Sequence, residues 1–106
     1  MQIVYKSIES VTLCDKSGNI FKLPVESFIE YDDDIRITSS FRSASLLFRG
    51  WVGDLTYKTT DGIELKSGNK TTAVEETFHD VLLQSILLTM VDYEGLCIWE
   101  YVFLKK

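Results

Sequence analysis

Residues 86–104 read ILLTMVDYEGLCIWEYVFL, two apolar runs on either side of Tyr93-Glu94-Gly95. In the second run, Trp99, Tyr101 and Phe103 occupy alternate positions, which places three aromatic side chains on one face of a β-strand. A glycine-containing turn between two such runs is typical of an antiparallel hairpin. The segment therefore predicts two paired strands, Ile86–Val91 and Leu96–Leu104.

Similar turn signals between strand-like runs recur along the chain. Lys16-Ser17-Gly18-Asn19 separates two further strand-like runs, and Asp61-Gly62 is a favoured two-residue hairpin loop. Asp34-Ile35-Arg36-Ile37-Thr38 alternates between polar and apolar residues, as a half-buried strand does. These signals predict a mostly β fold, an antiparallel sandwich or barrel of about seven or eight strands.

One segment has two interpretations. Thr72 to Glu75 has the spacing of a helix capping box, and Val74, Phe78, Val81 and Leu82 share one helical face, so a short helix over residues 73–84 is one of them. In the other interpretation the segment is strand, because Leu82, Ile86, Leu88 and Met90 would share a strand face.

Length and composition predict one domain, residues 1–106. Hydrophobic residues make up 45% of the chain, enough to bury a core without disulfides or metals. Cys14 and Cys97 lie in apolar runs and are interpreted as small buried hydrophobic residues. The N-terminus shows no apolar targeting region, and Val81–Val91 is too short to span a bilayer. We therefore expect a cytoplasmic protein without membrane contact.

Residues for catalysis do not form a recognisable set. His79 is the only histidine, and it cannot complete a usual zinc site with two separated cysteines. Gly50-Trp51-Val52-Gly53 lacks the spacing of a phosphate-binding loop. The net charge of −5 opposes nucleic-acid binding, which needs a basic surface. The sequence predicts neither an enzyme nor a bound metal or cofactor.

The charge distribution indicates a protein partner. Residues 25–34 carry five acidic residues and residues 71–104 carry six, and neither segment contains Lys or Arg. These can be solvated loops, or an acidic surface that attracts a basic protein. The predicted contacts lie in two turns, beside aromatic residues suited to an interface: Tyr31, Asp32, Asp33 and Asp34, and Asp92, Tyr93 and Glu94.

Small size, acidity, a β-rich pattern and the lack of an active site together resemble bacterial immunity proteins, such as those of contact-dependent growth inhibition systems. The resemblance implies a monomer that forms a 1:1 complex with a basic toxin domain, a nuclease, and covers its active site with acidic residues. Two alternatives remain. One is a small barrel that binds an apolar ligand, lined by Trp51, Tyr57 and Trp99. The other is a structural subunit that assembles through a sheet edge.

Overall fold

The computed structural model describes residues 3–4, 8–41, 47–59, 64–65 and 75–105. All regular elements in these ranges are strands of one antiparallel sheet. Their bounds are β1 Ile3–Val4, β2 Ile8–Asp15, β3 Ile20–Lys22, β4 Ser27–Glu30, β5 Asp34–Phe41, β6 Val52–Thr59, β7 Glu64–Leu65, β8 Glu75–Val91 and β9 Cys97–Leu104. The order across the sheet is β3-β2-β6-β8-β9-β5-β4-β1-β7. The predicted mostly β fold is confirmed, but the sheet does not close into a barrel.

Strand β8 joins two halves of the sheet. Its first half pairs with β6, from Lys58↔Glu75 to Val52↔Leu82. Its second half pairs with β9, from Leu82↔Leu104 to Val91↔Cys97. Residues 75–84 are therefore strand, and the helix interpretation is wrong for them; residues 73 and 74 lie outside the described ranges. Pairing with β6 satisfies the backbone of residues 75–82, and the strand buries Val81 and Leu83 with a period of two, which outweighs a local capping pattern.

The two halves face each other across the core. The rings of Phe28 on β4 and Tyr57 on β6 lie 5.0 Å apart between centroids, although three strands separate β4 from β6 in the sheet. The sheet must therefore curl strongly, with a buried inner face and an outer face. Thirteen buried apolar side chains of the described residues form the core, and the innermost of them are Val11, Leu13, Phe28, Ile35, Ile37, Leu55, Tyr57, Val81, Leu83, Tyr101 and Phe103.

The β2–β3 and β8–β9 hairpins turn through the same kind of loop, which confirms two of the predicted hairpins. In both, an aspartate carboxylate accepts main-chain hydrogen bonds of 2.9 Å from the residues two and four positions later. The aspartates are Asp15 and Asp92. In both loops a glycine, Gly18 or Gly95, has a φ of 87°, which a residue with a Cβ rarely adopts. The predicted Asp61-Gly62 hairpin lies outside the described residues.

The carboxylate of Asp15 makes the stability of the β2–β3 loop dependent on pH. The hydrogen bond from the Asn19 side chain, and then those from the main chain, hold the pKa of Asp15 below its usual 3.8. Because the folded pKa is the lower one, the stabilisation is complete above the unfolded value and disappears as pH falls through the folded pKa.

We expect the Asp15→Asn variant to melt at a lower temperature than the unmodified protein at pH 7 and to differ from it less at pH 2.5. The reason is that the advantage of the native carboxylate declines as pH falls from the unfolded pKa through the lowered folded pKa. Thermal melts followed by circular dichroism at both pH values check this, with Asp33→Asn as a charge-matched control in another turn. A difference in melting temperature that stays constant with pH would contradict the assignment.

Candidate functional site

The loop that joins β8 and β9 projects from one end of the sheet. Asp92 holds it rigidly, because its Oδ1 accepts hydrogen bonds from the main-chain N–H groups of Glu94 and Leu96. Tyr93 is 99% exposed, and Glu94 is also exposed. We call Asp92, Tyr93 and Glu94 the hairpin tip. It presents a fully accessible aromatic ring and two carboxylates on a fixed backbone.

The other predicted patch, Tyr31 to Asp34, forms the turn between β4 and β5; we call it the acidic turn. Its charges have cationic neighbours within the protein. Arg36 lies over the Tyr31 ring, 4.9 Å from its centroid, and its Nε is 3.4 Å from Asp34 Oδ1. Lys105 donates a hydrogen bond of 2.7 Å to the main-chain oxygen of Tyr31. Intramolecular cations thus compensate part of the repulsion between adjacent carboxylates.

The two predicted patches lie at opposite ends of the sheet. Asp34 pairs with Leu104 at the end of β9, whereas the hairpin tip precedes Cys97 at its start. At about 3.3 Å per residue, the length of β9 separates them by roughly 23 Å. They therefore do not form one continuous contact surface, and each must be considered separately as an interface.

An apolar surface adjoins the hairpin tip on the outer face of the sheet. Register places Val52, Leu82, Leu87 and Met90 on this face, opposite or beside Leu104, Glu100 and Ile98. The exposed fractions of these four side chains are 37%, 38%, 58% and 53%. We call these four residues the outer stripe. At one end, Val52, Leu82 and Leu104 line a shallow depression bordered by Lys16, Asp80 and Lys105.

The sequence pattern does not reveal the outer stripe, because two register shifts in β8 change which of its residues share a face. The register shifts between Leu83 and Ser85 and again between Leu88 and Met90. Ile86 and Leu88 pair with Tyr101 and Trp99 on the inner face, while Leu82 and Met90 lie on the outer face. An uninterrupted alternation over residues 82–90 would instead place Leu82, Ile86, Leu88 and Met90 on one face of the strand. The apolar composition of the segment was the only available signal.

A third group of polar residues surrounds a bulge between β6 and β8. Asp54 lies opposite both His79 and Asp80, and Asp80 has a φ of 56°. Asp54 Oδ1 accepts a 3.2 Å hydrogen bond from Asp80 N, and Asp54 Oδ2 is 3.3 Å from His79 Nδ1. Lys16 forms an ion pair with Asp80, which is the first cause of the raised pKa of Lys16. These contacts hold the bulge in place.

The bulge residues line a polar pocket of about 340 Å³ together with Cys14 and Gly53. A carboxylate that orients an imidazole can support general base catalysis, but a thiol nucleophile must also contact that imidazole. Cys14 lies on β2, with β6 between it and His79, and its Sγ instead contacts the main-chain oxygen of Asp15 at 3.7 Å. The pocket thus holds the Asp54–His79 pair without an activated thiol.

The residues that the ligand-binding alternative requires lie mostly in the core. Tyr57 is fully buried, stacks on Phe78 and donates a hydrogen bond from its hydroxyl to Glu76. Trp51 is 3% exposed and packs edge-on against Phe103. Neither residue lines either of the two pockets described above.

Within the described residues there is no cluster of three or more His, Cys, Asp and Glu side chains arranged to hold a metal ion. The same part of the chain contains no helix long and apolar enough to cross a membrane. No model of a known protein family matches the chain, and no similar curated protein or solved structure was found.

Proposed function

We propose that this protein is an immunity protein that binds a basic toxin domain, a nuclease, and neutralises it by covering its active site with acidic residues. The observation that carries the proposal is the hairpin tip. It places a 99% exposed tyrosine beside two carboxylates on a rigid loop. No Lys or Arg occurs anywhere in residues 71–104 to oppose a cationic partner.

The physical fit concerns both charge and shape. A nuclease holds its substrate through Lys and Arg side chains that contact phosphates. Carboxylates can occupy such cationic positions, and charge-assisted hydrogen bonds to them are strong once water is excluded. An aromatic ring on a preorganised loop contributes contact area at a low cost in conformational entropy. The hairpin tip combines these properties.

The proposal assigns unequal roles to the two predicted patches. Arg36 and Lys105 already contact the acidic turn, so a basic partner would have to compete with them there. The hairpin tip instead presents Tyr93, which is 99% exposed, on a loop whose main chain is held by hydrogen bonds to Asp92. We therefore assign the principal contact to the hairpin tip and a secondary one to Tyr31, Asp32, Asp33 and Asp34. The complex would be a cytoplasmic 1:1 heterodimer without cofactor.

The test measures binding to the purified product of the upstream neighbouring gene by titration calorimetry and its nuclease activity by substrate cleavage. We expect a 1:1 complex that abolishes cleavage. Its association rate should fall as salt rises, because the Debye length shortens from about 30 Å at 0.01 M to about 8 Å at 0.15 M. Absence of any complex at low salt would refute the proposed function.

Replacing the tip side chains should weaken this complex more than replacing the acidic turn. We expect the Tyr93→Ala/Glu94→Ala variant to lose about 30-fold in affinity, since interface aromatic residues and desolvated charges commonly contribute about 2 kcal/mol. The Asp32→Ala/Asp33→Ala/Asp34→Ala variant should lose less than about fivefold, as exposed rim charges do. The reverse ranking would assign the interface to the acidic turn. Melting temperatures of both variants serve as the folding control.

A further inference from the structure

The outer stripe differs from the rest of the outer face. On β2, β6 and the first half of β8, the outer positions are mostly polar, including Thr12, Thr56 and Thr77, with Lys58 and Glu75 at the end of the ladder. This is the usual composition of a sheet face in contact with water. From Leu82 onwards the outer positions of β8 are mostly aliphatic, with Ser85 as the polar exception opposite Val102, and Leu87 and Met90 are more than half exposed. An apolar patch on an otherwise polar sheet face is typical of a docking surface.

Charges around the outer stripe indicate the kind of protein that fits it. Glu100 lies beside Leu87 on the same face, and the hairpin tip adds Asp92 and Glu94 at the end of the hairpin. Lys16 and Lys105, which border the outer stripe at Val52 and Leu82, have acidic partners within the protein, Lys16 with Asp80 and Lys105 with Glu30. A second copy of the chain would bring acids against acids, whereas a basic protein would complement them.

We infer that the outer stripe is the apolar part of the interface with the basic protein partner, continuous with the hairpin tip. This inference rests on the proposed function and extends it, because it adds an apolar contact that charges alone do not provide. Leu87 and Met90 lie at the end of the outer stripe next to the hairpin tip, and Val52 and Leu82 lie at the other end. The acids then accelerate and orient association, while burial of the outer stripe slows dissociation.

The dependence of binding on salt distinguishes the contribution of the acidic residues from that of burying the outer stripe. Exposed charges are screened at high ionic strength, but the burial of aliphatic side chains is not. Raising NaCl from 0.05 to 0.5 M (about a tenfold rise) should therefore lower the association rate with the basic partner and leave the dissociation rate nearly unchanged. An interface made of charges alone would show a dissociation rate that rises steeply with salt.

The decisive variants introduce a cation into the outer stripe. We expect Leu87→Lys and Met90→Lys each to reduce the affinity for the purified upstream gene product about 100-fold, because each buries a charge against a basic surface. Ile20→Lys is the matched control. Ile20 is 66% exposed on the outer side of edge strand β3, and the same substitution there should change affinity less than about threefold. Circular dichroism and melting temperatures verify the fold of all three.

The binding results separate the two proposals. If the tip variant loses affinity while Leu87→Lys and Met90→Lys bind normally, the outer stripe lies outside the interface and this inference fails, although the proposed function stands. If the gene product does not bind the unmodified protein at all, both fail together. If sedimentation equilibrium shows a homodimer at micromolar concentration that Leu87→Lys abolishes, the outer stripe binds a second copy and the inference is overturned.

Discussion

Replacing Gly53 by alanine is expected to lower the free energy of unfolding by at least about 3 kcal/mol, a larger loss than most single substitutions cause. A Cβ at this position would lie 2.3 Å from the main-chain oxygen of Cys14 and 2.6 Å from Cη2 of the Trp51 ring. The first of these atoms belongs to the backbone of β2 and cannot move aside without breaking the β2–β6 ladder. Gly53 pairs with Asp15 in that ladder and with Val81 on the other side.

Gly50→Ala provides the control for this prediction. Gly50 has a φ of 96°, but nothing lies within 4 Å of a Cβ built there. Its replacement should cost only about 1 kcal/mol, the cost of a left-handed conformation for a residue with a side chain. Urea unfolding followed by tryptophan fluorescence compares the two variants. Equal losses would mean that the close approach at Gly53 does not limit the packing of β2 on β6.

Replacing Lys105 by methionine is expected to cost about 2 kcal/mol of stability. Lys105 Nζ lies 2.7 Å from Glu30 Oε2 and 2.7 Å from the main-chain oxygen of Tyr31, and both side chains of the ion pair are less than one-fifth exposed. The ammonium also lies 5.2 Å from the centroid of the Phe78 ring. Lys105 thereby connects the two halves of the sheet. The substitution takes the cation away from a mostly buried carboxylate, which costs more than the pair contributes.

The ion pair between Lys58 and Glu9 is the matched comparison. Its atoms are 3.7 Å apart and both side chains are about half exposed. Lys58→Met should therefore change the free energy of unfolding by less than about 0.5 kcal/mol. Adding Glu30→Gln to Lys105→Met should recover part of the loss, because it removes the mostly buried negative charge that the ammonium of Lys105 had balanced. A double variant less stable than Lys105→Met alone would contradict this account of the Lys105–Glu30 pair.

These predictions depend on features that the sequence showed to different degrees. The sequence predicts that Gly50-Trp51-Val52-Gly53 does not bind phosphate. It does not predict that Gly53 lies where the main chain of β2 and the Trp51 ring approach β6 closely. Lys105 lies far from Glu30 in sequence, and the pairing of β9 with β5 and of β5 with β4 brings them together. The sequence predicts that the hairpin tip and the acidic turn lie in turns, and the structure confirms this location, but the sequence does not predict their separation along β9.

The sequence by itself determined the local features of this protein: its β-rich composition, its alternating strands and the loops at Asp15 and Asp92. These depend on turn chemistry and side-chain spacing within a few residues. Only the tertiary structure decided the strand order, the strand conformation of residues 75–84 and the exposure of the outer stripe. The reason is that strand pairing is a contact between distant segments, and each of the two bulges in β8 changes which face the side chains after it occupy.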